Sequence, residues 1–399
     1  MNGTPTRKPR SKKVIVSGAL GTVLLIVIFI YLIITSLQHP AAADNPPQTQ
    51  PQTAPATSEL SGQSAPVVPL PPTVDPFASP QPAGPPFTVY FTDPYSPTAK
   101  DHTGGPDEIL AAAIDRAQYS VDMAIYNLSL PNIRDALIHA SQRGVNVRMV
   151  MESESMDSET VKTLEANKIP IIGDRRQGLM HNKFTIIDNQ EVWTGSLNLT
   201  TSGTYSDHNN LVRIVNPQAA QDYTTEFEEM FTEDKFGVKG NKDTPFPKII
   251  IDGTLLEIYF SPDDNVAAPF INLLSTARKS IDILAYSFTR NDMAQIILAR
   301  AKDGVVVRGV FDVSQEKNNK GGEYDRFKKA GFDVRLNTNN GLMHNKVIIV
   351  DGQAVAFGSY NFSKSAEDNN DENMVIIHNP QVAQQYLAEF ERIFVRSKK

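Results

Sequence analysis

The 399-residue chain has no cysteine and a single tryptophan. Without cysteine there can be no disulfide framework, no zinc-thiolate site and no cysteine nucleophile. An excess of positive charge is missing as well. Of the 38 Lys and Arg, five lie in the first 13 residues, and of the 45 Asp and Glu, three lie before Phe87. The chain from Phe87 onward therefore sets 33 bases against 42 acids. A protein that captures nucleic acid through many phosphates usually shows the opposite balance, although a local basic cleft can hide within such an average.

The first 86 residues have no composition for a core. Residues 1–13 carry Arg7, Lys8, Arg10, Lys12 and Lys13 and no acid, and Val14 to Ser36 is uncharged and mostly apolar. As a helix those 23 residues reach about 34 Å, enough to cross a bilayer, and exceed the roughly 7 to 15 residues of a secretory core. They are expected to form a single-pass signal anchor. The basic flank should be cytoplasmic and the remainder extracytoplasmic; cleavage after Ala43, in the small-residue run Ala41-Ala42-Ala43, would instead release a secreted protein. Residues 37–86, rich in Pro, Gln, Ala, Ser and Thr, read as an extended spacer. An exported domain without disulfides points to a bacterial cell envelope.

The rest of the chain is a duplication. Leu179-Met180-His181-Asn182-Lys183-Phe184-Thr185-Ile186-Ile187-Asp188, followed by Gly195-Ser196-Leu197-Asn198, returns as Leu342-Met343-His344-Asn345-Lys346-Val347-Ile348-Ile349-Val350-Asp351 and Gly358-Ser359-Tyr360-Asn361, each position displaced by 163 residues. The matching extends further, from Ser120–Tyr126 against Ser280–Tyr286 to Asn216-Pro217 against Asn379-Pro380, each of the latter opening an amphipathic helix. Strands alternating with helices predict α/β layers. The expected division is a first repeat over 87–231, a linker over 232–255 rich in Gly, Asp, Lys and Pro, and a second repeat over 256–399. A monomer containing an internal pseudo-dimer follows, with the site between the halves as an isologous dimer would place it.

Phe184–Ile187 and Val347–Val350 read as buried strands. Alternation puts His181 and Lys183 on one face, and likewise His344 and Lys346. Asp188-Asn189 and Asp351-Gly352 suit two-residue hairpins, so both aspartates read first as turn residues. Gly-Ser-x-Asn then forms a small-residue loop able to hold an anion. Two histidines and two lysines suit phosphodiester chemistry without metal or cofactor. One imidazole attacks phosphorus, the other protonates the leaving oxygen, and the lysines with Asn198 and Asn361 stabilise the phosphoryl charge.

His-x-Lys-x4-Asp-x6-Gly-Ser-x-Asn, present twice without a gap, resembles the HKD signature of the phospholipase D superfamily. The resemblance covers about three quarters of the chain and implies two sheets in an α-β-α-β-α sandwich with the active site at the pseudo-twofold interface. It implies His181 as nucleophile and His344 as general acid. Lys183, Lys346, Asn198 and Asn361 match its phosphate-binding positions, and the motif keeps Asp188 and Asp351 among the catalytic candidates. Ser196 and Ser359 join the phosphate side, with loop geometry as the plainer account of a small residue there. Many members place a carboxylate downstream of each motif, against a histidine nitrogen. Glu372 stands in that place, 28 residues after His344, whereas the first repeat has Asn209. The two imidazoles are therefore expected to titrate differently, and the sequence leaves open which one attacks. His208 beside Asp207 lacks further ligands at metal spacing and reads as a polar loop residue.

The expected activity is a metal-independent phosphodiesterase acting on phospholipid head groups at a membrane surface. A non-specific endonuclease acting on nucleic acid, a phosphatidyltransferase of cardiolipin synthase type and a non-catalytic envelope scaffold are the alternatives. Complete His, Lys and Asn sets in both repeats argue against the scaffold.

Overall fold

The apolar runs that carry the repeated motif become the middle strands of two mixed sheets. The computed structural model describes residues 84–318, 321–338 and 341–399. The expected signal anchor and nearly all of the spacer lie outside these residues. Among the described residues, no helix is long and apolar enough to cross a membrane.

The first sheet comprises β1 (Phe87–Phe91), β2 (Ser120–Ile125), β3 (Asn146–Met151), β4 (Ile171–Gly173), β5 (Lys183–Ile187), β6 (Glu191–Gly195) and β7 (Asn210–Val215), in the order β1-β7-β6-β5-β2-β3-β4. The second comprises β8 (Lys248–Ile251), β9 (Thr254–Ser261), β10 (Ser280–Ala285), β11 (Val306–Asp312), β12 (Asp333–Asn337), β13 (Lys346–Val350), β14 (Ala354–Gly358) and β15 (Glu372–His378). Its order, β12-β11-β10-β13-β14-β15-β9-β8, repeats the first and adds β8 at the edge. In each sheet a parallel βαβ pair, β2 with β3 or β10 with β11, lies next to the antiparallel motif strand, β5 or β13.

Three hydrophobic cores set the layers. One lies against the helices Pro106–Arg116 and Pro131–Gln142 on the outer face of the first sheet, and one against Ala267–Thr276 and Asn291–Lys302 on the outer face of the second. The central core is built jointly by both repeats around the helices Pro217–Phe231 and Pro380–Phe394. There Tyr223 meets Phe184 edge-on at 4.9 Å and Phe260, from the other repeat, at 5.0 Å. Phe91 meets Tyr386 at 5.1 Å in the same way. Asn216 and Asn379 cap these two helices by accepting backbone N–H groups of their first turns, with Pro at the first helical position in both.

Residues 248–251, expected in the linker, form β8 instead. Ile249 and Ile251 are buried while Lys248 and Ile250 face out, and Asp252-Gly253, both at positive φ, turn the strand back onto β9. This is the type I′ hairpin signal of Asp-Gly between apolar runs.

Asp188 and Asp351 lie beyond the C-terminal ends of β5 and β13, seven residues or about 23 Å along the chain from the histidines at 3.3 Å per residue. Both have positive φ. Asp188 accepts the backbone N–H groups of Gln118, Tyr119 and Ser120, and Asp351 those of Arg278, Lys279 and Ser280. They anchor the entry to β2 and β10, so the turn reading holds and a part in the chemistry does not.

Candidate active site

The histidines stand just before β5 and β13, where the two repeats are sewn together by backbone. His181 N–H donates to the Asp371 carbonyl at 3.0 Å, and Asp371 N–H to that of Leu179 at 2.9 Å. The symmetric pair runs from His208 N–H to the Leu342 carbonyl at 2.8 Å and from His344 N–H to the His208 carbonyl at 3.1 Å. Side chains repeat the stitch: Asn373 Nδ2 donates to Asn182 Oδ1 at 2.8 Å, and Asn210 Nδ2 to Asn345 Oδ1 at 2.6 Å. His208, read from sequence as a loop residue, is fully buried here, and its backbone holds His344 in place. Burial lowers its own pKa to about 3.

These crossed contacts give each histidine a partner from the other repeat. His181 Nδ1 lies 2.6 Å from Glu372 Oε2. His344 Nδ1 lies 2.9 Å from Asn209 Oδ1 and 3.1 Å from the Ser196 carbonyl. Asn209 donates through Nδ2 to the Gly203 carbonyl, and its Oδ1 also accepts the Ser196 hydroxyl. That network fixes the amide orientation, so His344 Nδ1 must be the N–H donor and Nε2 the titrating nitrogen. The same tautomer follows for His181, whose Nδ1–H meets a carboxylate.

Each lysine lies on the face of its own histidine, as alternation requires. Lys183 Nζ donates to the His181 carbonyl at 2.7 Å and Lys346 Nζ to the His344 carbonyl at 2.6 Å. Below them lie Tyr126 and Tyr286. The ammonium groups sit 5.0 and 4.8 Å from the ring centroids, and the tyrosine rings meet His181 and His344 edge-on at 5.0 and 4.9 Å. The tyrosines escaped the sequence reading as site residues, although both end the matched segments Ser120–Tyr126 and Ser280–Tyr286. Glu152, just past β3, and Asp312, the last residue of β11, escaped it too; they accept the backbone N–H of Met180 and Met343, both at 2.9 Å, and so set the approach to each histidine.

Burial dominates the electrostatics. It pushes Lys183 down to about 7, opposed by Glu372 and Glu152, and holds Lys346 well below its ordinary value, with Lys183 adding to the effect. Both histidines are lowered by burial and then by the two lysines. Glu372 is pushed up to about 7 by burial, against the pull of Lys183. His181 Nδ1 and Glu372 Oε2 share one proton between them. An entering anion favours the protonated forms of Lys183, Lys346 and His344.

The remaining candidates divide. The Ser196 and Ser359 hydroxyls accept the backbone N–H of Asn210 and Asn373 at 3.1 and 3.0 Å, so they hold the neighbouring strands. Loop geometry accounts for them. The preceding Gly195 and Gly358 are required by close approach, since a Cβ would fall 2.4 Å and 2.2 Å from the carbonyl oxygens of Asn210 and Asn373. Asn198 and Asn361 sit in those loops with Oδ1 buried and without a hydrogen-bond partner. His181, Lys183 and Glu372 are thus brought together with His344, Lys346 and Asn209, and Asp188 and Asp351 are left out.

Comparison with known proteins matches residues 110–231 and 270–394 to a family described as "Cardiolipin synthase, PLD-like domain". A phospholipase D of Rickettsia felis is 35% identical over 121 residues, 30% of this chain and 60% of its own length. A mitochondrial cardiolipin hydrolase of Chlamydomonas reinhardtii is 28% identical over 125 residues, 31% of this chain and 56% of its own. The chain therefore spans under two thirds of the length of these relatives. Among solved structures, the phosphatidylserine synthase of Haemophilus influenzae shares the fold with a TM-score of 0.56 at 12% identity, over 77% of this chain and 86% of that one.

Proposed function

Since the chain belongs to this family of phospholipase D-like domains, we propose that it hydrolyses phospholipid head-group phosphodiesters through a phosphohistidine on His181, with no metal in the chemical step. The observation that carries the assignment is the contact of His181 with Glu372, where His344 has only an amide and a carbonyl. A carboxylate stabilises the imidazolium that forms when Nε2 makes a bond to phosphorus, whereas Asn209 does so only weakly.

In the first step His181 Nε2 forms the P–N bond. The P–O bond to the leaving alcohol breaks, and His344 Nε2–H gives its proton to that oxygen. Water then attacks phosphorus while the now neutral His344 takes its proton, and the P–N bond breaks. Lys183 and Lys346, protonated as the anion arrives, take up the growing charge on the phosphoryl oxygens.

The substrate side of the reading rests on sequence and kinship. The expected anchor and spacer would hold the domain beside a bilayer, the acidic balance disfavours capture of DNA, and the curated relatives are named for phospholipid hydrolysis. The test is an assay of the full chain, in detergent, on labelled phospholipid vesicles and on plasmid DNA across low and moderate salt. Head-group release is expected, with part of the product diverted to a phosphatidyl alcohol when a primary alcohol competes with water. Cutting of DNA with no action on any phospholipid would overturn the reading in favour of an endonuclease.

A further inference from the structure

The helices Pro217–Phe231 and Pro380–Phe394 are equivalent across the 163-residue displacement, and one pair of positions on them is opposite in charge. Glu389 of the second helix accepts two hydrogen bonds from Arg392, at 2.6 and 2.7 Å. The same guanidinium donates to Asp93 Oδ1 at 2.5 Å and to the Thr92 carbonyl at 3.0 Å, just beyond β1 of the other repeat. A fixed cation thus joins the helix of one repeat to the strand end of the other. On the pseudo-symmetric side the glutamate is kept as Glu226 and the strand end of the opposite repeat supplies Asp263, but the place of Arg392 is taken by Glu229.

Three carboxylates therefore meet where the other half of the molecule has a guanidinium. Glu226, Glu229 and Asp263 each offer an oxygen within 4.8 Å of the other two. Among the described residues, none of the three is ion-paired with a Lys, Arg or His; Lys235, the basic group that acts most on Glu229, is already paired with Glu233 at 2.6 Å. Glu229 is 5% exposed, and its Oε1 is buried without a hydrogen-bond partner. The linker closes over the group. Gly240 lies so close to Asp263 that a Cβ there would fall 2.3 Å from a carboxylate oxygen.

We propose that Glu226, Glu229 and Asp263 bind a divalent cation, Ca²⁺ by donor type, which performs in the first half of the molecule the joining role of Arg392 in the second. The donors are all oxygen, the preference of a hard cation. Two ligands on opposite sides of one Ca²⁺ stand about 4.8 Å apart at Ca–O distances near 2.4 Å, so a single ion can touch all three. Calcium also accepts six to eight ligands in irregular geometry, which suits a site closed by a loop and water, whereas Mg²⁺ demands near-octahedral order. In the ion's absence the carboxylates shift as crowded acids do. Burial pushes Glu229 up to about 7, with Asp243 and Glu233 adding to it; burial and then Glu229 push Asp263 up to about 7, and burial, then Asp371 and Asp263, hold Glu226 well above its ordinary value.

The ion would lie outside the reaction itself. Glu226 Oε1 accepts Asn182 Nδ2 at 3.2 Å, and Asn182 stands between His181 and Lys183. The ion is therefore structural, holding the helix Pro217–Phe231, the linker and the loop after β9 against the base of the motif strand.

The test uses the full chain in detergent, stripped with EDTA and then titrated with CaCl₂ or MgCl₂. Calorimetry should show one high-affinity Ca²⁺ site, and calcium at about a hundred times its Kd should raise Tm by about 4 °C. Glu229→Gln should abolish both signals. Glu229→Arg, which recreates the second-repeat arrangement, should melt above stripped wild type and be indifferent to calcium. If Glu229→Arg fails to fold, wild type and Glu229→Gln decide. Identical wild-type melting in EDTA and in millimolar Ca²⁺, with no heat of binding, would overturn the proposal. A site that took Mg²⁺ and refused Ca²⁺ would overturn the calcium assignment. None of these readouts depends on catalytic activity, so they stand apart from the fate of the phosphodiesterase reading.

Discussion

Glu372 bonds to His181, 191 residues earlier in the chain, and not to His344, the histidine of its own repeat. The pairing breaks the symmetry of an otherwise duplicated site and, on the proposed mechanism, separates the roles of the two imidazoles.

Removal of either histidine should be severe, and the leaving group should tell them apart. His181→Ala and His344→Ala should each lower turnover of a natural phospholipid by several orders of magnitude, general acid catalysis alone accounting for about 10²- to 10⁴-fold. A p-nitrophenyl phosphodiester needs no protonation of its leaving group. With that substrate His344→Ala should regain most of the first step, seen as a burst of nitrophenolate, and His181→Ala should not. Equal rescue of both variants would contradict the assignment.

Replacing Asn209 with Glu tests the cause of the asymmetry. The carboxylate would face His344 Nδ1 as Glu372 faces His181, favouring the imidazolium and raising the His344 pKa. The acid form is the one required in the first step, so the alkaline limb of kcat/KM against pH should move upward. An unmoved limb in a folded variant would show that His344 is not the acid.

Chelation should spare the chemistry. At temperatures well below the melting transition, an acid quench in excess EDTA should still trap substrate phosphorus on a histidine, because Lys183 and Lys346 supply the cations that a metal would otherwise provide. Loss of the trapped species in EDTA, and its return with a divalent ion, would refute the mechanism.

Tyr126 supports Lys183 through its ring face and has no hydroxyl role to lose there. Tyr126→Phe should stay within about twofold of wild type, while Tyr126→Leu, which removes a partly desolvated cation–π contact, should lower kcat/KM by about tenfold. A Phe variant as impaired as the Leu variant would assign the work to the hydroxyl.

Asp222 provides a stability probe away from the site. Its Oδ1 accepts Phe246 N–H at 2.7 Å, Oδ2 is buried without a hydrogen-bond partner, and burial pushes the carboxyl up to about 7. Its folded pKa thus lies above the unfolded one, so its contribution is favourable below about pH 4 and is lost as pH rises through 7. Asp222→Asn keeps the acceptor and never ionises. It should match wild type near pH 4 and melt several degrees higher at pH 8; a constant difference across that range would rule out ionisation as the cause.

Much of this protein is legible along the chain, because strand alternation and turn chemistry are local. His181 and Lys183 share a face two residues apart, Asp351-Gly352 turns, Asn379-Pro380 opens a helix, and a displacement of 163 residues declares the duplication. Even β8 is announced by Asp252-Gly253 between apolar runs, a signal outweighed by the Gly, Asp, Lys and Pro around it. Docking of the two repeats decided the rest. The pairings of Glu372 with His181, Asn209 with His344, and Asn373 with Asn182 join residues 135 to 191 positions apart. No period in the sequence encodes such contacts, since they arise from packing two similar surfaces about a pseudo-twofold axis. The same packing buries Lys183 and Lys346, and burial, which a sequence does not state, is what lowers their pKa values. It also gathers Glu226, Glu229 and Asp263 from two repeats into one place, where a single charge reversal at the position of Arg392 becomes visible only once both helices are set side by side.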